Sequence, residues 1–298
     1  MKKHWLYILL LFSCRPAKEV YMFTSFREPA TDGLHLLYSY DGYKWTDLKN
    51  TFLQPLPGKV LRDPSIVKGP DNIYHLVWTI SWKGNEGFGY AESKDLIHWS
   101  DQRVINVMEH EPTTVNVWAP EIFYDDEEQQ YLIIWASTIP QRFPRGVEAE
   151  DNNHRMYYTT TKNFITFSKA TLFYDPGFSV IDAVIVKIEK SKYALVLKDN
   201  TRPERDLKVA FANKATGPYI DCSAPFTGHL TEGPTAVKIN NEWLIYFDAY
   251  GEKKYRAIKT KNFRAFTDIS QQVSLPAGHK HGTIFKTTRK TLQQIIKQ

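Results

Sequence analysis

Four segments of this chain repeat one pattern, and that repeat constrains the fold more than any other feature. Each copy starts with an acidic residue that opens an apolar strand. A turn follows, and then a second apolar strand led by an aromatic residue. The copies are Asp63–Lys68 with Tyr74–Trp78, Glu121–Tyr124 with Tyr131–Trp135, Asp182–Val186 with Tyr193–Leu197, and Glu232–Val237 with Trp243–Phe247. From acid to aromatic the spacing is 11, 10, 11 and 11 residues. A third strand continues each copy, at Gly89–Glu92, Met156–Thr159, Lys208–Phe211 and Tyr255–Ile258, and the expected fourth strands carry Trp99, Phe167, Tyr219 and Phe266. Short strands at regular spacing, separated by turn residues, predict the four-stranded blades of a β-propeller.

A fifth copy is split between the chain ends. Val20–Phe26, Leu34–Tyr40 and Lys44–Leu48 read as second, third and fourth strands, with Trp45 at the aromatic position. The missing first strand reads as Gly282–Phe285, after His281. The expected fold is therefore all-β: a five-bladed β-propeller spanning residues 20–298, with one blade closed by strands from both termini. Closure removes the unpaired strand edges that an open array would present. The chain of 298 residues is long enough for such a ring, and its 42% apolar content supplies a core.

The N-terminus reads as a leader. Met1–His4 is basic, Trp5–Phe12 is apolar but too short to span a bilayer, and Leu11-Phe12-Ser13-Cys14 resembles a lipoprotein box. Residues 1–13 are thus expected to be a signal peptide, with Cys14 lipidated and residues 14–19 a short linker. That implies a bacterial cell-envelope protein, held at the periplasmic or outer-membrane surface by its lipid alone. Cys222 would be the remaining cysteine, so no intrachain disulfide is expected. Losing Lys2 and Lys3 with the leader lowers the formal charge from +5 to +3, too little to imply nucleic acid. Lys286, Arg289 and Lys290 read as a solvated tail. A monomer is expected.

In a propeller, first strands line the axis and their starts share one face. This brings Asp63, Glu121, Asp182, Glu232 and His281 to one mouth, although 49 to 61 residues separate successive members. Carboxylates a few ångströms apart raise one another's pKa. Inverting glycoside hydrolysis needs that: one carboxyl kept protonated for the leaving group, and one ionised to activate water.

Arg62-Asp63-Pro64, Trp118-Ala119-Pro120-Glu121, Ile181-Asp182-Ala183, Glu232-Gly233-Pro234 and Gly278-His279-Lys280-His281-Gly282-Thr283 occur in this order. On these motifs, from about Val20 to Phe285, the chain resembles glycoside hydrolase family 43, the arabinofuranosidase and xylosidase group. The resemblance implies Asp63 as general base, Glu232 as general acid, and Asp182 as the residue that tunes and holds the acid. Glu121 stands where many members have aspartate and is expected to contact sugar hydroxyls. His281 matches a histidine near an axial water cluster or structural calcium. No cofactor is otherwise required.

Trp78, Trp99, Trp135 and Trp243 fall inside strand patterns and are assigned to packing, whereas Trp82 and Trp118 are candidate sugar platforms. The long segment Thr138–Asn153, with Arg142, Arg145, Asn152 and Asn153 and followed by His154, is expected to wall the mouth. A walled pocket admits chain ends, which favours exo action on plant or microbial polysaccharide side chains. An α-L-arabinofuranosidase is the leading activity, with β-D-galactofuranosidase and β-xylosidase as alternatives. A non-catalytic glycan-binding propeller is the competing class. A retaining fructan-cleaving mechanism is disfavoured, because Arg62 precedes Asp63 where those enzymes carry an Asn-Asp-Pro motif.

Overall fold

The computed structural model describes residues 19–84 and 87–298. The leader and Cys14 lie outside the described residues. In chain order the strands are β1 (Glu19–Ser25), β2 (Leu34–Ser39) and β3 (Thr46–Leu53), then β4 (Arg62–Lys68), β5 (Tyr74–Thr79), β6 (Gly87–Ser93) and β7 (Arg103–Asn106). They continue as β8 (Trp118–Asp125), β9 (Gln130–Ser137), β10 (Arg155–Thr161) and β11 (Thr171–Tyr174), then β12 (Val180–Glu189), β13 (Lys192–Asp199) and β14 (Asp206–Ala212). Last come β15 (Glu232–Ile239), β16 (Glu242–Ala249), β17 (Lys254–Thr260), β18 (Thr267–Asp268), β19 (Ile284–Thr288) and one α-helix, α1 (Arg289–Ile296). They form five antiparallel sheets. Blades one to four are β4–β7, β8–β11, β12–β14 and β15–β18, and the fifth has the order β19-β1-β2-β3.

The middle strands read as unbroken apolar runs because both of their faces are covered. Along β9, Leu132, Ile134 and Ala136 pack toward Leu195 and Leu197 of blade three. The alternate residues Ile133 and Trp135 pack toward Val77 and Tyr90 of blade one. A strand's period of two thus serves two interfaces at once.

Ring closure is a strand pairing: β1 runs antiparallel to β19, from Glu19 opposite Thr288 to Phe23 opposite Ile284. Inner-strand hydroxyls also stitch neighbouring blades. Ser65 accepts from the Ile122 N–H at 3.1 Å, Thr235 from Ile284 at 2.9 Å, and Thr283 from Ile66 at 3.4 Å.

Two expectations need correction. Trp99, Phe167 and Phe266 precede the fourth strands instead of lying in them, and blade three has three strands plus a single bridge between Phe211 and Ile220. The aromatic side chain fills the corner before the outer strand, so it marks the corner. The basic C-terminal segment is also not a free tail. It forms α1, capped by Thr288, whose side chain accepts from the Thr291 N–H. Leu292 and Ile295 are buried, and Ile295 joins the core beside Tyr74 of blade one.

Candidate active site

The first strands of blades one to four each open with a β-bulge at the mouth. The register slips between Arg62 and Ser65, Trp118 and Glu121, Ile181 and Val184, and Glu232 and Thr235. In each bulge one residue takes a left-handed backbone: Asp63 and Asp182 at φ 52°, Ala119 at 45°, Gly233 at 55°. A bulge re-aims the side chain it carries, and Asp is among the few residues other than Gly that adopt this conformation readily. Gly233 is required for a second reason: a Cβ there would lie 2.1 Å from His281 Cβ.

The bulges correct the apparent equivalence of the four acids. Aligned on register, Asp63 corresponds to Asp182, Ala119 and Gly233. Glu232 sits one residue earlier and Glu121 two residues later. The even spacing in sequence arose because hairpin turns of different length offset the shift.

His281 stands among the three carboxylates. Its Nε2 is ion-paired with Asp63 Oδ1, and Phe26 packs edge-on against its ring. Burial would lower the imidazole pKa, but Asp63, then Asp182 and Glu232, hold it up at about 9. It is therefore a cation at neutral pH. Burial would raise Asp63, but His281 outweighs that and holds the carboxyl at about 2. Thr79 donates to the other oxygen, Oδ2, at 2.7 Å and also accepts the Ala119 N–H at 2.8 Å.

Asp182 Oδ2 accepts from the Gly233 N–H at 3.1 Å, which joins it to the residue after Glu232. Burial and the Glu232 and Asp63 charges raise Asp182, despite His281 and Lys198. Glu232 moves the other way. Burial would raise it, but Lys198, whose Nζ lies 2.8 Å from Glu232 Oε2, and His281 bring it below the usual carboxylate range. Of this pair the raised carboxyl is therefore Asp182.

These groups floor a cavity of about 420 Å³. Trp82 and Trp118 form one wall. Their rings meet edge to face at 5.9 Å, the Trp118 indole N–H donates to the Trp82 carbonyl, and the Arg62 guanidinium lies 4.0 Å from the centre of the Trp82 ring. Asn152 brings the long blade-two segment to the cavity, facing Asn200, Arg205 and Tyr250 on later loops. Lys83 clamps that segment from blade one through Asp151 at 2.7 Å.

Two of the expected contact residues lie elsewhere. His154 is fully buried, stacked at 4.9 Å on Trp118, and burial holds its pKa down at about 4. It shapes the wall from behind. Glu121 lies toward the axis, beside a small cavity of about 30 Å³ that shares Asp63, Ala119, Asp182 and His281 with the larger one. It occupies the inner-strand slot that holds Ser65, Thr235 and Thr283 in other blades, and Ser65 donates to it at 2.6 Å. With no cation beside it among the described residues, burial pushes its carboxyl up to about 8.

Glu232, Asp248 and His281 offer ligand atoms within 4.8 Å of one another. They do not suit calcium. Lys198 sits on Glu232, Lys280 sits 2.7 Å from Asp248, and His281 Nε2 is taken by Asp63. An ion wanting six to eight oxygens would meet two ammonium groups instead.

Lys198 was the main omission of the sequence reading. Its signal was a lysine closing the apolar run Tyr193–Leu197, in a strand buried on both faces. A charge inside such a strand needs a partner, and the partner is the acid of the next blade.

The five-bladed propeller is the architecture that the comparisons return. The family-43-related model described as "Probable glycosyl hydrolase domain" matches residues 17–293, and the chain belongs to this family. An α-L-arabinofuranosidase of Bifidobacterium longum subsp. longum is 21% identical over 210 residues, 62% of this chain. The chain spans only 19% of that relative's length. Among solved structures, an α-L-arabinanase of Cellvibrio cellulosa complexed with arabinohexaose superposes with a TM-score of 0.62 at 14% identity, covering 88% of this chain and 96% of the other. A thermostable family-43 glycoside hydrolase gives a TM-score of 0.59 at 15% identity, covering 78% and 82%. At these identities the likeness is one of fold.

Proposed function

We propose that the chain is an exo-acting, inverting glycoside hydrolase, with terminal α-L-arabinofuranosyl units as its leading substrate. One observation carries the reading: Asp63, Asp182 and Glu232, from three blades, converge around His281 at the floor of a walled cavity. Asp63, ionised and fixed by Thr79 and His281, is the base that takes a proton from the attacking water. Glu232 protonates the leaving oxygen. Asp182 holds the backbone beside Glu232 and shares the pair's proton, so the two carboxyls titrate together. Trp82 and Trp118 offer apolar faces to the sugar, and the clamped blade-two segment closes the side that an endo-acting groove would leave open. The curated relative's activity supports the arabinofuranoside assignment over galactofuranoside or xyloside. The apolar leader ending at Cys14 supports a lipid-anchored location, and Cys14→Ala should release the protein from membranes.

A second reading, a glycan-binding propeller without turnover, draws on one fact: Lys198 favours the ionised form of Glu232. Nitrophenyl glycosides of arabinofuranose, galactofuranose and xylose, given to the purified leaderless protein, separate the two. Proton NMR of the first product tests the stereochemistry. Net retention of anomeric configuration would remove Asp63 as a base acting through water.

A further inference from the structure

The carboxylates that line the two adjoining cavities are all engaged, and two cations there lack an acidic partner among the described residues. Glu28 pairs with Arg62 at 2.7 Å, Asp63 with His281, Glu232 with Lys198 and Asp248 with Lys280, while Asp182 takes the Gly233 N–H. Arg205 lines the same cavity, and its Nε is buried without a hydrogen-bond partner. Glu148, whose charge it feels, is already held by Arg202 and Asn152. The second cation is Lys253. It faces a cavity of about 700 Å³ that adjoins the first through Tyr250 and Lys280. Neither Arg205 nor Lys253 has an ion-pair partner among the described residues.

Both cations lie on the Glu232 side. The Thr231 N–H donates to the Arg205 carbonyl at 3.1 Å, which sets Arg205 against the residue before Glu232. The Gly251 N–H donates to Leu230, which sets the turn ending in Lys253 on the same segment. Glu232 faces the leaving group in the reading above, so the unspent positive charge lies where the departing part of the substrate would sit.

We infer that this site is built for an acidic glycan, one carrying a carboxylate or sulfate on the sugar next to the bond that is cut, and that Arg205 reads that anion while Lys253 extends the basic path. The inference rests on the proposed hydrolase reading. A neutral leaving sugar would leave the buried Arg205 Nε without a charged partner; an anionic one supplies two acceptor oxygens that match the guanidinium fork.

The test compares kcat/KM for matched oligosaccharides: arabinofuranosyl units on a uronate-bearing backbone, on the same backbone after carboxyl reduction, and on sulfated and desulfated versions. The parent protein should prefer an acidic member by about tenfold or more, the size of one hydrogen bond to a charged group. Whether uronate or sulfate gives the larger ratio identifies the anion. Arg205→Gln should bring the ratio close to one, Arg205→Lys should keep part of it, and Lys253→Gln should reduce it less. Arg205's side chain makes no hydrogen bond among the described residues, so Arg205→Gln should unfold with the parent's cooperativity. A parent ratio near one, or a ratio unchanged in Arg205→Gln, overturns the inference and leaves the hydrolase standing. Cleavage of no glycoside at all removes the hydrolase. Retention on immobilised acidic against carboxyl-reduced glycan then decides, and equal retention overturns the acidic-glycan assignment as well.

Discussion

Lys198 and Asp182 act on Glu232 with opposite signs, and this gives a paired experiment. The ammonium group stabilises the Glu232 carboxylate, so Lys198→Met should raise the pKa of the acid and move the basic limb of the pH–rate profile upward. Asp182→Asn removes a negative neighbour, makes Glu232 easier to ionise and should move the same limb downward. Glu232→Gln should slow poor leaving groups about 10²–10⁴-fold while sparing activated aryl glycosides. Asp63→Asn should slow both, with partial rescue by azide. Two limbs that move together in the first pair would mean that Glu232 is not the group titrating. Glu121 makes a stability prediction. Its folded pKa of about 8 lies above its unfolded value, so its stabilising contribution is whole below about pH 4.5 and is lost as pH rises through 8. Glu121→Gln should therefore gain ~2 kcal/mol or more over the parent at pH 9, and little at pH 5. Urea unfolding at both pH values measures it, and equal differences would show that the axial carboxyl does not ionise in that range. The acids themselves were legible from the sequence as mouth residues. Their inequivalence was not, because a bulge and a turn-length change cancel in a residue count and part only once strands are paired.

The corner before each outer strand repeats a motif at the scale of the element. Ser39-x-Asp41 before Trp45, Ser93-x-Asp95 before Trp99, Thr161-x-Asn163 before Phe167 and Thr260-x-Asn262 before Phe266 share one construction. The hydroxyl accepts the N–H three residues on, from Gly42, Leu96, Phe164 and Phe263, and all four have positive φ. The Asp or Asn accepts the next two N–H groups, as Asp95 does from Ile97 at 2.9 Å and His98 at 2.8 Å. Local caps of this kind are worth ~1 kcal/mol each, so Asp95→Ala and Asn163→Ala should each cost that much in urea unfolding. A change under a few tenths would show that the buried Leu96 or Phe164 holds the corner unaided. These corners are written plainly in the sequence, but as a local Ser/Thr-x-Asp/Asn spacing that strand periodicity does not reveal. The inner and middle strands were legible because burial on both faces enforces apolar runs. Outer strands such as β7 and β18 are short and mostly exposed, and carry no such run.

Closure of the whole ring depends on sequence ends that meet only in three dimensions, and two truncations separate its parts. Ending the chain at Thr288 removes α1 but leaves β19. Leu292 and Ile295 are each about 1% exposed, and burying an aliphatic side chain contributes roughly 1.5–3 kcal/mol. Loss of both should lower Tm by about 6–12 °C and leave a folded, active ring. Ending the chain at Lys280 is a different lesion. It strips β19 from β1, so the backbone from Glu19 to Phe23 becomes an open, largely apolar edge. It also takes away His281, the cation beside Asp63, and leaves a buried carboxylate without its main counter-charge. The Thr283 link to Ile66 and the Thr235 link to Ile284 go with it, so both neighbouring blades lose a stitch. The expected outcome is aggregation on expression, with no cooperative transition in the soluble fraction. Size-exclusion chromatography with urea unfolding measures it. A soluble monomer that unfolds cooperatively would show that four blades and three strands hold the ring without the C-terminal strand.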